Sequence, residues 1–358
     1  SIEININGAP VELLDIGQLA LLHDKTKSFD TWLLDTFFPR RASFERDEVP
    51  VGELETETPI APYVAPSVKG RPIAGKGKAD VQYVKPAYLK PREMVEPAKV
   101  FDSVLVDLLR QSGIVAYGSN RISEADALRI DQIQKYKRLH DSIDVRKVMM
   151  GVELLLTGKI VIESDDFPEY IVDYGRDAAC TYAPAIKWDA NGATPVADIQ
   201  AMIDISVDKA GSSPVMALMS SKVFNSLIKN ADFKEKFIAP FAGISVPIAP
   251  GFDQKDKAQY RGEFGGIKFW TYDVTYKLGG TVKRFIPTDY FSLITDVSGI
   301  VAQCAIKNLK AFGQPLAYFD DQWYENDPSG IHMLCESAPL IVPSNKNGVV
   351  GGQGFVTA

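Results

Sequence analysis

The stretch that decides the fold is "SEADALRIDQIQKYKRLHDSIDVRKVMMGVELLLTG", residues 123–158. Ser123 with Asp126 three residues later is typical of a helix start, and Gly158 is typical of a helix end. Apolar side chains recur mostly at steps of three and four residues, at Ala125, Leu128, Ile133, Tyr136, Ile143, Val148, Val152 and Leu155. The pattern predicts one continuous spine helix over residues 123–157, about 50 Å long at about 1.5 Å per residue.

This helix constrains the shape of the whole molecule. A compact chain of 358 residues has a radius of gyration of about 20 Å and hence a width near 50 Å. One helix would therefore cross the molecule, which predicts a flattened or elongated subunit. A coiled coil is the alternative, but the heptad is irregular and the sequence has only one such helix.

Two blocks of opposite charge precede the helix. Residues 44–58 are acidic and residues 69–92 are basic, so the sign changes within about a dozen residues. Prolines between and within these blocks exclude a long helix or a central strand, but an edge ribbon that turns at "KGRPIAGKGK", residues 69–78, tolerates them.

The extended ribbon has a proline-rich, solvated linker as its alternative. The segment carries more apolar residues than such linkers usually do, namely Val64, Val68, Val81, Tyr83, Val84, Tyr88 and Leu89. Ribbon arms of about 15 residues reach roughly 50 Å at about 3.3 Å per residue, which is too far for burial in their own domain. We therefore expect the ribbon to lie on a neighbouring molecule.

The remaining segments predict an α+β protein. Residues 10–38 contain short amphipathic pieces that suit a docking arm, and residues 159–175 alternate like a hairpin. Residues 195–302 mix helical and strand patterns, with glycine turns at "GEFGG" and at Gly279 and Gly280. The apolar run from Ile331 to Val342 reads as one late strand that ends at Pro343.

Composition and motifs indicate little chemistry. Cys180, Cys304 and Cys335 are far apart and odd in number, and no histidine stands at metal spacing, so we expect neither disulfides nor a metal site. The sequence has no P-loop, no dinucleotide-binding spacing and no catalytic nucleophile motif, so no cofactor is expected. The formal charge of -7 disfavours a nucleic-acid-binding surface.

Acidic pairs are the only candidates for catalysis. Asp165 with Asp166, or Asp320 with Asp321, would be paired carboxylates, although adjacent acids usually point apart into solvent. A hydrolase that uses Asp165, Asp166 or Asp173 is the alternative to a non-enzymatic protein. No apolar stretch reaches the length of a bilayer span and the N-terminus lacks signal-peptide character, so we expect a cytoplasmic protein without a membrane partner.

Four short motifs in a set order carry a resemblance to a known family. They are "YVKPAYLKP" at residues 83–91, "YGRD" at 174–177, "FIPTDYFSLI" at 285–294 and "HMLCESAPLIVP" at 332–343. With the order of arm, ribbon, long helix, α+β lobe and late strand, the sequence resembles the major capsid proteins of tailed bacteriophages. The resemblance is to the lambda-like branch of the Hong Kong 97-type fold.

The resemblance implies a domain division. It implies an N-terminal arm at 1–48, an extended β-hairpin loop at 49–95, and a peripheral domain at 96–194 and 303–343 that holds the spine helix. An α+β axial domain at 195–302 and a C-terminal tail at 344–358 complete the division. The closing strand would join the peripheral sheet, and the tail would lie near subunit contacts.

The resemblance also implies partners. Subunits would form hexamers and pentamers of an icosahedral virion that encloses double-stranded DNA, assembled in the host cytoplasm with a separate scaffold, a portal and a cementing protein. The charged and aromatic ribbon residues would contact neighbouring subunits: Glu53, Glu55, Glu57, Lys69, Arg71, Lys76, Lys78, Tyr83, Lys85, Tyr88 and Arg92.

Two variants of this function remain open from the sequence. Some members of the family join neighbours by a lysine–asparagine isopeptide bond, for which Lys76 or Lys78 and Asn345 or Asn347 would be candidates, but the lambda-like branch generally does without it. A bacterial nanocompartment shell of the same fold would enclose protein cargo instead of DNA.

Overall fold

A long helix runs through the molecule, and short β-sheets pack along it. The computed structural model describes residues 3–6, 9–12, 29–46, 48–56, 77–95, 124–164, 167–238, 257–327 and 329–357. The helices are α1 (Trp32–Phe37), α2 (Glu124–Thr157), α3 (Pro195–Ala210), α4 (Ser221–Lys229) and the single turn α5 (Ala231–Phe233), which a π-helical turn (Lys234–Ile238) follows.

The strands are short and numerous. In chain order they are β1 (Glu3–Ile6), β2 (Ala9–Glu12), β3 (Arg40–Phe44), β4 (Val49–Thr56), β5 (Gly77–Val84), β6 (Arg92–Val95), β7 (Lys159–Ser164), β8 (Phe167–Asp173), β9 (Met216–Met219), β10 (Gln259–Phe264), β11 (Ile267–Thr271), β12 (Thr275–Leu278), β13 (Thr281–Arg284), β14 (Phe291–Ile294), β15 (Ile300–Cys304), β16 (Phe319–Asn326), β17 (Ser329–Glu336), β18 (Pro339–Val342) and β19 (Val349–Gly352). The expected α+β class is confirmed.

The spine helix α2 confirms the prediction from the sequence pattern. It has 34 residues and ends at Thr157. The next residue, Gly158, has φ +73° and donates its N–H to the Leu154 carbonyl at 2.9 Å. Ser123, the expected cap, lies outside the described residues. The first half of α2 packs on a sheet of order β16-β17-β6, and the second half packs among α1, β18 and the main core.

A five-stranded sheet of order β10-β11-β9-β14-β19 forms the centre of a second core. The helices α3 and α4 cover it, with Met202 and Leu227 fully buried. The α4 segment ends at Lys229 because Asn230 starts a new turn, its side-chain oxygen accepting the N–H groups of Asp232 and Phe233. We call this sheet with α3 and α4 the five-stranded lobe.

The ribbon is present as β4 and β5, an antiparallel pair of eight residues each, which spans about 26 Å at about 3.3 Å per residue. Within the described residues no third strand joins it. At its base Val49 and Val84 are buried in the main core, whereas Tyr83 is 61% exposed. The expected turn at residues 69–78 falls mostly on positions outside the described residues.

The structure corrects the expected single late strand. Residues 331–342 form two strands, β17 and β18, because the ladder is interrupted at Ser337 and Ala338, where Ser337 forms an isolated bridge with Leu89 and the Ala338 carbonyl accepts the Cys304 N–H. β17 pairs with β16 and β6, whereas β18 pairs with β15, which in turn pairs with β3. Only β17 therefore joins the sheet under the first half of the spine helix.

Two terminal segments also differ from expectation. In the expected arm, α1 is part of the main core: its side chains Leu33, Leu34 and Phe37 are buried there, and the helix contacts α2. In the expected tail, β19 is an edge strand of the five-stranded sheet. Phe355 is fully buried with its ring centroid 4.8 Å from that of Trp188.

Gly351 of β19 should be essential for this edge strand. Its φ is +156°, and a Cβ added there would lie 2.5 Å from the Cα of Ser292 in β14. Gly351→Ala should lower the free energy of unfolding by about 2–4 kcal/mol, because backbone strain and overpacking add. Urea denaturation of the purified chain measures this. Gly354→Ala is the matched control, since Gly354 has φ +94° with no atom within 4 Å of the added Cβ; equal losses in the two variants would contradict the packing argument.

Candidate assembly surfaces

The expected ribbon contacts fall into three groups. Glu57, Lys69, Arg71 and Lys76 lie outside the described residues. Glu53, Glu55 and Lys78 lie in the ladder of β4 and β5, where Glu55 stands opposite Lys78 and Glu53 stands opposite Asp80. The register therefore brings residues of the acidic and the basic block together within one ribbon.

The third group lies near the base of the ribbon, where side chains are described. Tyr83 points into solvent, and Lys85 Nζ is 3.9 Å from Glu48 Oε1 at the surface. Tyr88 and Arg92 contact their own chain instead: the Tyr88 hydroxyl donates to Glu336, and the Arg92 guanidinium lies 5.5 Å from the centroid of the Trp323 ring. Tyr83 is thus the largest apolar side chain that this group presents to a neighbour.

Other exposed apolar surfaces were missed by the sequence reasoning. They are Val161, Tyr170 and Ile171 on the hairpin of β7 and β8, Leu278 and Val282 on the hairpin of β12 and β13, and Leu309 and Phe312 on the turn before β16. Alternation on a hairpin indicates which residues share a face, but not whether another part of the chain covers that face.

The "YGRD" motif forms a junction at the C-terminal end of the spine helix. The Arg176 guanidinium donates to the carbonyls of Leu155 and Leu156 at 3.1–3.2 Å and to that of Val349 in β19 at 2.6 Å. A cation at this end also suits the negative pole of the helix dipole. Arg176 thereby joins the spine helix to the five-stranded lobe.

Two tyrosines complete the junction. Tyr290, from the "FIPTDYFSLI" motif, donates its hydroxyl to the Leu155 carbonyl at 3.3 Å, and Tyr174 donates to the Ile341 carbonyl in β18 at 2.6 Å. Burial raises the pKa of both phenols, so they remain donors across the physiological range. Three of the four motifs that carried the family resemblance therefore meet at this junction.

A buried polar network links the middle of the spine helix to β16 and β17. Asp320 of β16 accepts hydrogen bonds from Tyr136 at 2.6 Å and pairs with His140 Nε2 at 2.9 Å. About one turn beyond His140 along α2, Asp144 accepts a hydrogen bond from the Tyr318 hydroxyl, and Lys147 Nζ lies 4.0 Å from the Tyr318 ring centroid. The network holds the helix against the sheet at one register.

The acidic pairs do not form a catalytic site in the described residues. Asp320 is nearly buried and hydrogen-bonded, and its neighbour Asp321 pairs with Lys310 at 2.6 Å. Asp173 pairs with Lys159 at the surface at 2.7 Å. Asp165 and Asp166 lie outside the described residues.

His140, Asp320 and Cys335 form a cluster that the sequence did not predict. One ligand atom from each lies within 4.8 Å of the others. Burial raises the pKa of the Cys335 thiol, which keeps it protonated, whereas a metal ligand must be a thiolate. The cluster is suited to hydrogen bonding, and the expected lack of a metal site stays a prediction.

Comparisons with known proteins agree with the geometry. A sequence profile of the phage major capsid protein E family matches residues 19–353. The major capsid protein of Enterobacteria phage P21 is 25% identical over 336 residues, covering 91% of this chain and 94% of the relative. The major capsid protein of Escherichia phage lambda is 22% identical over 360 residues, with 94% and 97% coverage.

A solved structure supports the same fold. The crystal structure of a prophage capsid protein from Escherichia coli CFT073 superposes with a TM-score of 0.69 at 20% identity, covering 96% of this chain and all of that chain. The ribbon, spine helix and five-stranded lobe define the chain as a structural shell protein of the Hong Kong 97-type fold.

The chain belongs to the phage major capsid protein E family. The family resemblance and the non-enzymatic structural role expected from the sequence are confirmed, and the alternatives of a hydrolase and a nanocompartment shell are disfavoured. The protein is a component of the virion. Among the described residues, no helix combines the length and apolar character that a membrane span requires.

Replacement of Arg176 should weaken the junction. Arg176→Met removes the side-chain donor to the carbonyls of Leu156 and Val349 and leaves the Leu155 carbonyl with Tyr290 as its remaining side-chain donor. Each unsatisfied buried group costs about 1–3 kcal/mol. We expect a loss of about 2–4 kcal/mol in the free energy of unfolding by urea denaturation, with a smaller loss for Arg176→Lys. Arg146→Met, on an exposed position of the same helix, is the control. A loss no larger than that of the control would contradict the role of Arg176.

The Asp320 pair should make stability sensitive to acid. Burial alone would raise the pKa of Asp320, but its hydrogen bond and charge interaction with His140, together with the bond from Tyr136, lower it below the ordinary value. A lowered folded-state pKa stabilises the fold above the unfolded pKa of about 3.9, and this contribution is lost as the pH falls through the folded pKa.

The test compares two adjacent acids. Asp320→Asn should make the free energy of unfolding depend less steeply on pH below about 4. The number of protons taken up on unfolding, which sets this slope, should fall by up to one. Asp321→Asn is the control, because Asp321 pairs with Lys310 outside the network. Urea denaturation from about pH 3 to about pH 7, a range that includes the unfolded pKa of Asp320, gives the slope of the unfolding free energy against pH. Identical slopes for wild type and Asp320→Asn would overturn the assignment.

Proposed function

We propose that the chain assembles as hexamers and pentamers into an icosahedral phage head that encloses double-stranded DNA. The observation that carries the proposal is the ribbon of β4 and β5, which is anchored in the core at Val49 and Val84 and extends away as an isolated strand pair in the described residues. Among the described residues no further strand pairs with its backbone edges, and Tyr83 is exposed, so both could contact another copy. The names of the relatives support a shell made of many copies.

We propose that the two cores have different positions in the shell. The five-stranded lobe, as the axial domain, would surround the axes of the hexamers and pentamers, and the spine helix with its sheets would form the peripheral domain. The ribbon would contact an adjacent subunit through the ribbon residues named above other than Tyr88 and Arg92, which contact their own chain. Exposed ion pairs contribute little, at most about 1 kcal/mol each, so apolar burial would supply most of the affinity.

The remaining partners belong to the same proposal. The net charge of -7 suits an inner surface that tolerates packed DNA without sequence-specific binding. A separate scaffold, a portal and a cementing protein would complete the head. Covalent crosslinking is not part of the proposal, because Asn345 donates to the Ala210 carbonyl and Asn347 accepts the Asp177 N–H, so both amides have roles within the chain.

Assembly of the purified chain tests the proposal. Expressed with its scaffold, the chain should give closed shells, or hexamers and pentamers, in negative-stain microscopy and size-exclusion chromatography, and particles from infected cells should contain DNA. A strictly monomeric chain would overturn the proposal, and particles filled with protein cargo would favour a nanocompartment.

A ribbon variant tests the observation that carries the proposal. Tyr83→Asp should reduce the yield of shells at least tenfold while the melting temperature of the free subunit stays unchanged, because Tyr83 is 61% exposed in the single chain. Tyr324→Asp, at an exposed tyrosine on β16 and outside the ribbon, is the matched control. Equal shell yields for the two variants would contradict a ribbon contact at this position.

A further inference from the structure

The sequence contains three asparagine–glycine pairs, at residues 7–8, 191–192 and 347–348. The first pair lies outside the described residues, and the structure describes the other two. Asparagine is one of the chemically labile residues of proteins. A glycine that follows it has no Cβ, so its backbone nitrogen is open to attack on the asparagine side chain. The two described pairs therefore have the same local chemistry, and the fold is what distinguishes them.

Asn191 and Gly192 form an exposed turn before helix α3. Within the part of the chain that the structure describes, no hydrogen bond or ion pair holds the Asn191 side-chain amide, and the Gly192 N–H makes no backbone hydrogen bond. Gly192 has φ +81°, and a Cβ added there would meet no atom within 4 Å. The amide and the nitrogen that follows it are therefore unrestrained and open to water.

The second pair, Asn347 and Gly348, is held by the fold. The Asn347 side-chain oxygen accepts the Asp177 N–H at 2.8 Å, and its amide nitrogen donates to the Lys209 carbonyl at 3.3 Å. The Gly348 N–H donates to the Asn345 carbonyl at 3.1 Å, and Gly348 is itself buried. A reaction between this amide and this nitrogen would first have to break these hydrogen bonds, so the native fold opposes it.

We infer that Asn191 is a site of spontaneous deamidation and that the fold protects Asn347 from the same reaction. The Gly192 nitrogen forms a bond to Cγ of Asn191, and the bond between Cγ and the side-chain nitrogen breaks. The proton of the Gly192 N–H passes through water to the departing nitrogen, which leaves as ammonia. Water then opens the resulting cyclic imide at either carbonyl, which gives aspartate or isoaspartate, with no oxidation or reduction.

The modification adds a negative charge at a position where the fold can accept it. On one side of the turn, the Trp188 N–H donates to the Phe355 carbonyl at 2.8 Å, and Asp189 accepts the Thr357 N–H at 2.9 Å. On the other side, Pro195 is buried at the start of α3. The exposed turn between these contacts can change without the loss of either. This chemistry takes place in the single chain and is independent of the proposed shell.

Peptide mapping by mass spectrometry tests the site. In the folded, purified chain in mildly alkaline buffer, Asn191 should convert to aspartate and isoaspartate at least tenfold faster than Asn347. The same incubation in concentrated urea is the control, since unfolding removes the hydrogen bonds of Asn347 and should bring the two rates to within about threefold.

Each alternative result contradicts a stated part of the inference. Equal rates in the folded chain, or a difference that persists unchanged in urea, would overturn protection by the fold. An Asn191 that stays intact in the folded chain while the unfolded chain reacts would overturn the site itself. Asn191→Gln should remove the product at this position, which confirms the assignment of the peptide.

Two variants that carry the product of deamidation test whether each position tolerates it. Asn191→Asp should leave the melting temperature unchanged, because the exposed side chain makes no contact that the carboxylate would lose. Asn347→Asp is the matched control, and its melting temperature should fall, because a carboxylate cannot donate to the Lys209 carbonyl. Equal melting temperatures for the two variants would overturn the contrast between the exposed and the held asparagine.

Discussion

The capping of the spine helix by Arg176 is the interaction on which the rest of the structure depends. A helix that ends inside a protein leaves carbonyl groups that need donors, and here one guanidinium supplies them while also binding Val349 of β19. Tyr290 adds a donor from the five-stranded lobe. The same bonds therefore complete the helix and attach the lobe to it, so the orientation of the two cores follows from satisfying the helix end.

The other half of the spine helix is fixed by a different kind of contact. Apolar packing alone tolerates small shifts of a helix along a sheet, whereas hydrogen bonds to Asp320 from Tyr136 and His140 require one register. Because these groups are buried, a shifted helix would leave them without partners, at a cost of about 1–3 kcal/mol each. A shell subunit gains from such rigidity, since its contact surfaces keep fixed relative positions.

The subunit has well-packed cores, but it also exposes large apolar side chains at its surface. The base of the ribbon is buried at Val49 and Val84, while Tyr83 next to it is exposed, and the turn that carries Phe312 is held by Asn308 with its apolar side chain in solvent. Each exposed feature is small, and each is attached to a rigid part of the fold. Many weak contacts of this kind suit a closed assembly, because every copy is held by several neighbours at once.

The sequence alone determined the elements whose signal is local. The three- and four-residue period predicted the spine helix to within a residue of its end at Thr157, and the prolines and charge blocks indicated the ribbon. The order of four short motifs indicated the family. Only the tertiary structure decided that residues 331–342 form two strands in different sheets, that α1 and β19 are core elements, and that Arg176 caps the helix. These three features depend on contact with residues more than 20 positions away in the chain, or on whether another element covers one face of a helix or strand. The local pattern of residues encodes neither.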